Sequence, residues 1–346
     1  MRLVAATAVV LVVGLAGCDG GGGSRHPRTL PRGSVSLPRL PAQGLIDEER
    51  RGVALRDLRG RRLAWLPGFA VYPGGGPKHP SAAWAFLLAR LRPPLLHGPR
   101  GWYRLDAARH TLLPVRGGRL PLAGGATVVA RGGQSVAATF AVQRGGRTIL
   151  RGSAPTFRVL SQRLVQAGAG LLDVGTGRRW KLPPGCLPAG NPGETLVLAC
   201  GVAHGAEAAA RLVLERLPPG GAIRRLTRPL AQLIPEETSL SPDGRWVAVE
   251  GDTGCAASYV YIAAARGGAA RIAYGHSLTE PYPSNYSSLL GWSADGRLVV
   301  LFMPPYCDTP LSGPPPRGVY LVDPRTLART FVTRSAVAMW DPAPRH

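Results

Sequence analysis

Lysine is almost absent: the chain has it only at 78 and 181, so its net charge of +22 rests on arginine. Such a chain is what a GC-rich genome encodes, and the same excess would attract anionic lipid headgroups, envelope polymers or nucleic acid. The arginines are scattered and flank turns, with no stripe and no nucleic-acid-binding motif beside them, which argues against a nucleic-acid partner. Sustained helical periodicity is missing after the first residues, and the best helical candidate, 81–91, ends at Pro93-Pro94. Helical bundles are therefore excluded. No C-x-x-C, no H-E-x-x-H, no EF-hand loop and no G-x-S-x-G elbow occurs. These absences remove zinc modules, zincins and α/β-hydrolases, and no metal or cofactor is expected. What is plentiful is Gly (46) and Pro (34), with 45% hydrophobic residues. That composition suits many short elements around a real core.

The N-terminus opens with Arg2 and an apolar run from Leu3 to Leu15, shorter than the ~20 residues a bilayer core demands. Leu15-Ala-Gly-Cys18 at its end resembles the lipobox of bacterial lipoproteins. The resemblance implies cleavage before Cys18 and diacylglyceryl transfer to its thiol, so 1–17 is a signal peptide and Cys18 the lipid-attachment site. Residues 18–44 are Gly-, Pro-, Arg- and Ser-rich and read as a disordered tether, with the folded domain spanning 45–346. The expected location is the extracytoplasmic face of a membrane, in periplasm or at the cell exterior, as a monomer.

Near the C-terminus one phrase recurs: Leu240-Ser-Pro-Asp-Gly-Arg-Trp-Val-Ala-Val249 and Trp292-Ser-Ala-Asp-Gly-Arg-Leu-Val-Val-Leu301. In each, an Asp-Gly pair (Asp243-Gly244, Asp295-Gly296) supplies a tight turn before an apolar, β-branched strand. A second pattern, strand, acidic residue, Gly-containing turn, strand, repeats more loosely. Taking Asp57, Asp106, Gln143, Asp173, Glu215, Ala264 and Asp323 as equivalent gives separations of 30 to 59 residues. That is the period of a four-stranded blade with variable loops. Blades cannot bury both faces alone and must stack radially. The expectation is an all-β protein, a β-propeller of four-stranded antiparallel blades. It has seven blades, or six if the Gln143 copy is false. Ala338-Met-Trp-Asp-Pro342 opens a blade that the chain's end leaves incomplete, so Leu45 to Leu66 should complete it and the two termini share one blade. These motifs resemble the WD-repeat-like propeller repeats of TolB and other bacterial envelope proteins. Such repeats imply a fold more than a function.

With Cys18 acylated, four cysteines remain, an even set for an oxidising compartment. The repeat favours Cys186 with Cys200, flanking one first hairpin, and Cys255 with Cys307, each just after a second strand in adjacent blades. Chemistry-bearing candidates are few. His276 beside Ser277 is poorly placed for a catalytic pair. The acidic runs Asp47-Glu48-Glu49 and Glu236-Glu237 read as solvated turns. The repeated Asp57, Asp106, Asp173 and Asp323 read as turn-fixing residues. Tyr274, Tyr282, Tyr286 and Tyr306, in Pro-rich segments, form the candidate binding rim for a protein or glycan partner. The sequence thus points to a membrane-tethered, non-catalytic binding scaffold. A propeller-type enzyme, glycan-active or quinone-dependent, with residues converging from several blades, is the alternative, as is binding of envelope polyanions.

Overall fold

The computed structural model describes residues 32–71, 95–115, 119–131, 139–153, 156–160, 163–189, 196–202, 211–217, 224–225, 234–252, 258–267, 269–273, 286–303 and 317–340. Gly33–His346 is one compact unit, separate from Met1–Arg32. The helical candidate at 81–91 lies outside the described residues.

The described chain from Gly33 is all β apart from two single 3-10 turns, and it forms seven antiparallel sheets, taken here as I to VII in chain order. Sheet I holds β2 (Gly44–Glu49), β3 (Gly52–Arg56) and β4 (Arg62–Pro67), with β29 (Ala338–Trp340) beside β2. Sheet II has β5 (Ala70–Val71), β6 (Leu96–Gly98), β7 (Gly101–Asp106) and β8 (Thr111–Val115), with β1 (Val35–Ser36) as a fifth, outermost strand. Sheet III runs β9 (Arg119–Pro121), β10 (Ala126–Arg131), β11 (Thr139–Arg144) and β12 (Arg147–Ser153). Sheet IV runs β13 (Phe157–Val159), β14 (Leu164–Ala167), β15 (Gly170–Asp173) and β16 (Arg179–Lys181). Sheet V runs β17 (Cys186–Pro188), β18 (Leu196–Val202), β19 (Arg211–Leu217) and β20 (Arg224–Arg225). Sheet VI runs β21 (Ile234–Leu240), β22 (Trp246–Asp252), β23 (Ser258–Ala264) and β24 (Arg271–Ile272). Sheet VII runs β25 (Tyr286–Trp292), β26 (Leu298–Met303), β27 (Gly318–Val322) and β28 (Arg329–Thr333). Six sheets therefore have four strands and one has five.

The sheets pack on one another in a closed cycle, and the apolar residues on their two faces are the reason. Ile46, Val53 and Trp340 of sheet I share a cluster with Leu96, Leu105 and Leu112 of sheet II. Leu95 joins Val128 and Phe140 of sheet III and Phe157 and Val165 of sheet IV. Leu164 and Leu171 meet Leu196 and Leu198 of sheet V. Ala189 and Ala199 continue into Val247, Ile262, Trp292 and Val300 of sheets VI and VII. Leu290, Val299 and Leu321 then return to Leu45 and Met339 of sheet I. A sheet buried on both sides needs near-continuous apolar strands. The fully buried Gly-Val-Tyr-Leu-Val of β27 is such a strand. This is the arrangement of a β-propeller.

The termini meet as the sequence requires: Gly44 pairs with Trp340, Leu45 with Met339 and Ile46 with Ala338. The folded body starts earlier than the expected boundary at 45, however. The last part of the expected tether (18–44) is ordered: Val35 pairs with Leu112, and Leu37 N–H donates to His110 O at 2.8 Å. Leu40 is buried, its N–H bonded to His110 Nδ1 at 3.1 Å. Apolar Val35, Leu37 and Leu40 supply the anchoring, and an edge strand tolerates the neighbouring prolines.

Candidate functional site

Antiparallel order puts the turns between first and second strands, and between third and fourth, at one end of every sheet. All the repeated Asp residues sit in these turns. Ser241 Oγ donates to Asp243 Oδ1 at 2.6 Å and accepts Trp246 N–H at 2.9 Å, while Arg245 N–H reaches Asp243 Oδ1 at 3.0 Å. Ser293, Asp295 and Arg297 repeat the device, with Arg297 N–H on Ser293 Oγ at 3.0 Å and its Nε on Asp295 Oδ2 at 2.8 Å. Gly244 and Gly296 close these turns at φ +69° and +80°, where a side chain would be strained. In the third-to-fourth turns, Asp57 Oδ1 accepts the N–H groups of Arg59 (3.0 Å) and Arg61 (2.9 Å). Asp323 Oδ1 does the same for Arg325 (2.7 Å) and Thr326 (2.8 Å), and Asp106 Oδ1 for Arg109 (3.1 Å). Hydrogen bonds to the ionised form lower a carboxyl's pKa. Asp243 is held below the usual carboxylate range by the Ser241 hydroxyl and Arg245 N–H, and Asp323 by the Thr326 and Arg325 N–H groups. Burial opposes ionisation of Asp295, but the Ser293 hydroxyl and Arg297 outweigh it and its pKa is also lowered.

Two of the acids are more deeply set. Asp173, closing β15, accepts Gly175 N–H at 2.8 Å and a two-pronged grip from Arg163, Nε at 3.2 Å and Nη2 at 2.6 Å. Burial works against its charge, yet Arg163 and the turn's donors hold its pKa low. Asp47 is a correction to the expected solvated turn: it lies in β2, 1% exposed, with Oδ2 bonded to Arg56 Nε at 2.7 Å. Arg56 also reaches Glu49 at 2.8 Å and Gly60 O at 3.1 Å. Glu236 and Glu237 likewise belong to β21 rather than to a turn before it.

The first strands of sheets IV, V, VI and VII come close to one another, with β29 of sheet I beside β25. Arg158 of β13 donates to Glu236 O at 3.2 Å across the intervening sheet V. Thr238 Oγ1 bonds Pro188 O at 2.7 Å, and Trp292 Nε1 bonds Ser239 O at 3.3 Å. Between sheets VI and VII the buried Glu250 accepts Leu289 N–H at 2.6 Å. Among the described residues of these first strands, the carboxylates are Glu236 and Glu237, consecutive on β21.

Cys186 and Cys200 are directly opposite in the β17–β18 ladder and form a disulfide. Glu215 Oε2 lies 3.5 Å from Cys200 Sγ; both sulfurs are committed to the bridge, so this trio offers no thiolate pair to a metal. Cys18, Cys255, Cys307, Tyr274, Tyr282 and Tyr306 lie outside the described residues, as do His276 and Ser277. Tyr286 is the first residue of β25. A cavity of about 330 Å³ is lined by Thr139, Phe140, Ala141, Arg151 and Gly152 of β11 and β12. Among the described residues no helix is long and apolar enough to cross a membrane.

Sequence reasoning passed over Trp65 and Phe331. They are among the three exposed large hydrophobic residues described, the third being Val337, and all three lie in or next to strands of the adjacent sheets VII and I. An aromatic side chain on an outer strand whose ring lies over a glycine of the neighbouring strand, Gly52 for Trp65 and Gly318 for Phe331, is the signal that could have found them.

No protein-family model matches the chain, and no curated protein matches it. Solved structures do. One from a study of two prolyl endopeptidases is 14% identical with a TM-score of 0.40, covering 62% of this chain and 36% of that one. The β-propeller domain of the Trilobed protease from Pyrococcus furiosus is 8% identical with a TM-score of 0.40, covering 87% and 84%. TolB from Acinetobacter baumannii is 12% identical with a TM-score of 0.29, covering 89% and 56%. This chain thus spans about a third of the prolyl endopeptidase. The propeller assignment rests on the topology above.

Proposed function

We propose that the chain is a bacterial lipoprotein, acylated at Cys18 and held at the extracytoplasmic face of a membrane, whose propeller is a non-catalytic binding scaffold. The five-stranded sheet II counts as the seventh blade, with β1 laid on its outer edge. What supports the scaffold reading is the employment of the repeated polar residues: each carboxylate in the turns is spent on backbone N–H groups or on side chains of its own sheet. In this reading the Pro-rich segments that carry Tyr274, Tyr282, Tyr286 and Tyr306 are the surface offered to a protein or glycan.

Mass spectrometry of the chain isolated from membranes of a bacterial host tests the anchor. The N-terminal peptide should begin at acylated Cys18, and Cys18→Ala should move the protein from the detergent to the aqueous phase on cloud-point separation. A mature chain with an unmodified Cys18 would refute anchoring. Retained turnover of a glycan substrate by the purified protein would refute the non-catalytic reading.

A further inference from the structure

The outer edge of sheets I and VII carries what neither the fold nor the scaffold reading explains. Trp65 on β4 is 37% exposed and Phe331 on β28 is 51% exposed. The two outer strands are joined by the turn between β3 and β4. Gly60 at its tip has φ +82°, and a Cβ there would lie 2.3 Å from Val332 O, so the turn sits directly on β28 at Val332, whose chain neighbour Phe331 turns to the other face of the strand. That turn carries exposed Arg59 and Arg61, followed by exposed Arg62, whose guanidinium lies 5.9 Å from the centre of the Trp65 ring. Arg329 is exposed at the start of β28. Trp65, Arg62 and the arginine turn lie on the side of sheet I that faces sheet VII. Phe331 and Arg329, register partners of Tyr320 and Val322, lie across the edge of β28 from them, so the strip runs along one outer rim.

We propose that this strip docks the propeller onto an anionic phospholipid surface. Arg61 is paired with Asp57 at 3.1 Å and Arg62 with Glu49 at 3.8 Å, surface pairs of little worth. With Arg59 and Arg329 the strip keeps a net positive charge complementary to acidic headgroups, whose phosphates match arginine forks. Trp and Phe beside Arg suit the headgroup–acyl boundary, where an aromatic ring buries its apolar body and the guanidinium stays at the phosphates. A soluble acidic polymer would use the arginines and leave the rings in water. A second copy of the chain would bring a cationic strip against a cationic strip. The chain also enters the fold nearby, since β1 is the outermost strand of the neighbouring sheet II. The inference deepens the anchored reading, supplying an orientation at the membrane, but the strip can be tested without the anchor.

The full chain carrying Cys18→Ser is mixed with phosphatidylcholine vesicles with or without phosphatidylglycerol, and co-sedimentation is measured at low and high salt. The leader contributes equally to every variant, so differences between variants read the strip. Phosphatidylglycerol should raise binding, and salt should reverse that rise. The triple variant Arg59→Gln, Arg61→Gln, Arg62→Gln should lower the partition coefficient roughly a hundredfold, about fivefold per arginine. The pair Trp65→Ala, Phe331→Ala should lower it about tenfold or more, with melting of both variants near that of the parent. If the aromatic pair is destabilised, the arginine variant, which leaves the core untouched, decides alone. Binding undiminished by the arginine changes overturns the proposal. So does capture by polyglutamate that the aromatic pair leaves unchanged while vesicles fail to bind, and so does self-association abolished by the same variants. An unmodified Cys18 in the host would refute anchoring and leave this result standing.

Discussion

At the residue scale, the same side chain recurs with different depth. Asp57, Asp243, Asp295 and Asp323 are turn devices near water, where each hydrogen bond is worth little. Asp173 is different, because its side chain is 2% exposed and its partner Arg163 only 16%. Breaking such a pair leaves a buried charge uncompensated. Asp173→Ala is expected to cost about 3 kcal/mol in chemical unfolding, and Asp323→Ala about 1 kcal/mol or less. A ranking in the other order would show that the turns, not the buried pair, dominate. The depressed pKa values of Asp173, Asp243, Asp295 and Asp323 also set an acid limit. A carboxyl with a lower pKa folded than unfolded contributes stability fully above the ordinary carboxylate range. That contribution is lost as pH falls through the folded value. Melting temperature should therefore hold from neutrality to about pH 5 and drop below about pH 4, with Asp173→Asn flattening part of the drop.

At the element scale, hairpins were legible in the sequence wherever a turn is written in residues. Ser-Pro-Asp-Gly-Arg and Ser-Ala-Asp-Gly-Arg fix the first turns of sheets VI and VII because Ser, Asp and Gly each perform a local backbone task. The Gln143 strand is the third of its sheet, yet it has no acid. Its turn is the pair Gly145-Gly146, both at positive φ, which needs no carboxylate to hold it. Asp47 was misread for the opposite reason. Its partner Arg56 lies on the next strand, and only the register brings the two together. The ordered segment 33–44 was missed because its strand is two residues long and flanked by prolines. Trp65 and Phe331 were passed over because alternation alone does not say which outer face lacks a neighbour, and the glycine under each ring is identified only once the strands are paired. The Cys186–Cys200 bridge, at a separation of 14 residues, should contribute about 3 kcal/mol on loop-closure arguments. The Cys186→Ser, Cys200→Ser double variant should show that loss by denaturant titration, and an unchanged midpoint would mean the ladder alone holds β17. For the loops, Tyr282→Ala with Tyr286→Ala should weaken capture of a purified envelope partner while melting stays within about 2 °C. A large melting loss would make these tyrosines packing residues.

At the scale of the whole molecule, the fold depends on closure. Each sheet hides the flank of the next, so a gap anywhere exposes two apolar faces. Closure falls at sheet I, where three residues from one end of the chain pair with a strand from the other. Leu45 and Met339 are register partners and share one buried cluster with sheet VII, so their side chains point the same way. Replacing both with cysteine tests closure most directly. Peptide mapping under non-reducing conditions should link position 45 to position 339, in a protein that melts no lower than its reduced form. Two free thiols at those positions, or bonds from them to the native cysteines, would contradict a ring closed by its own two ends.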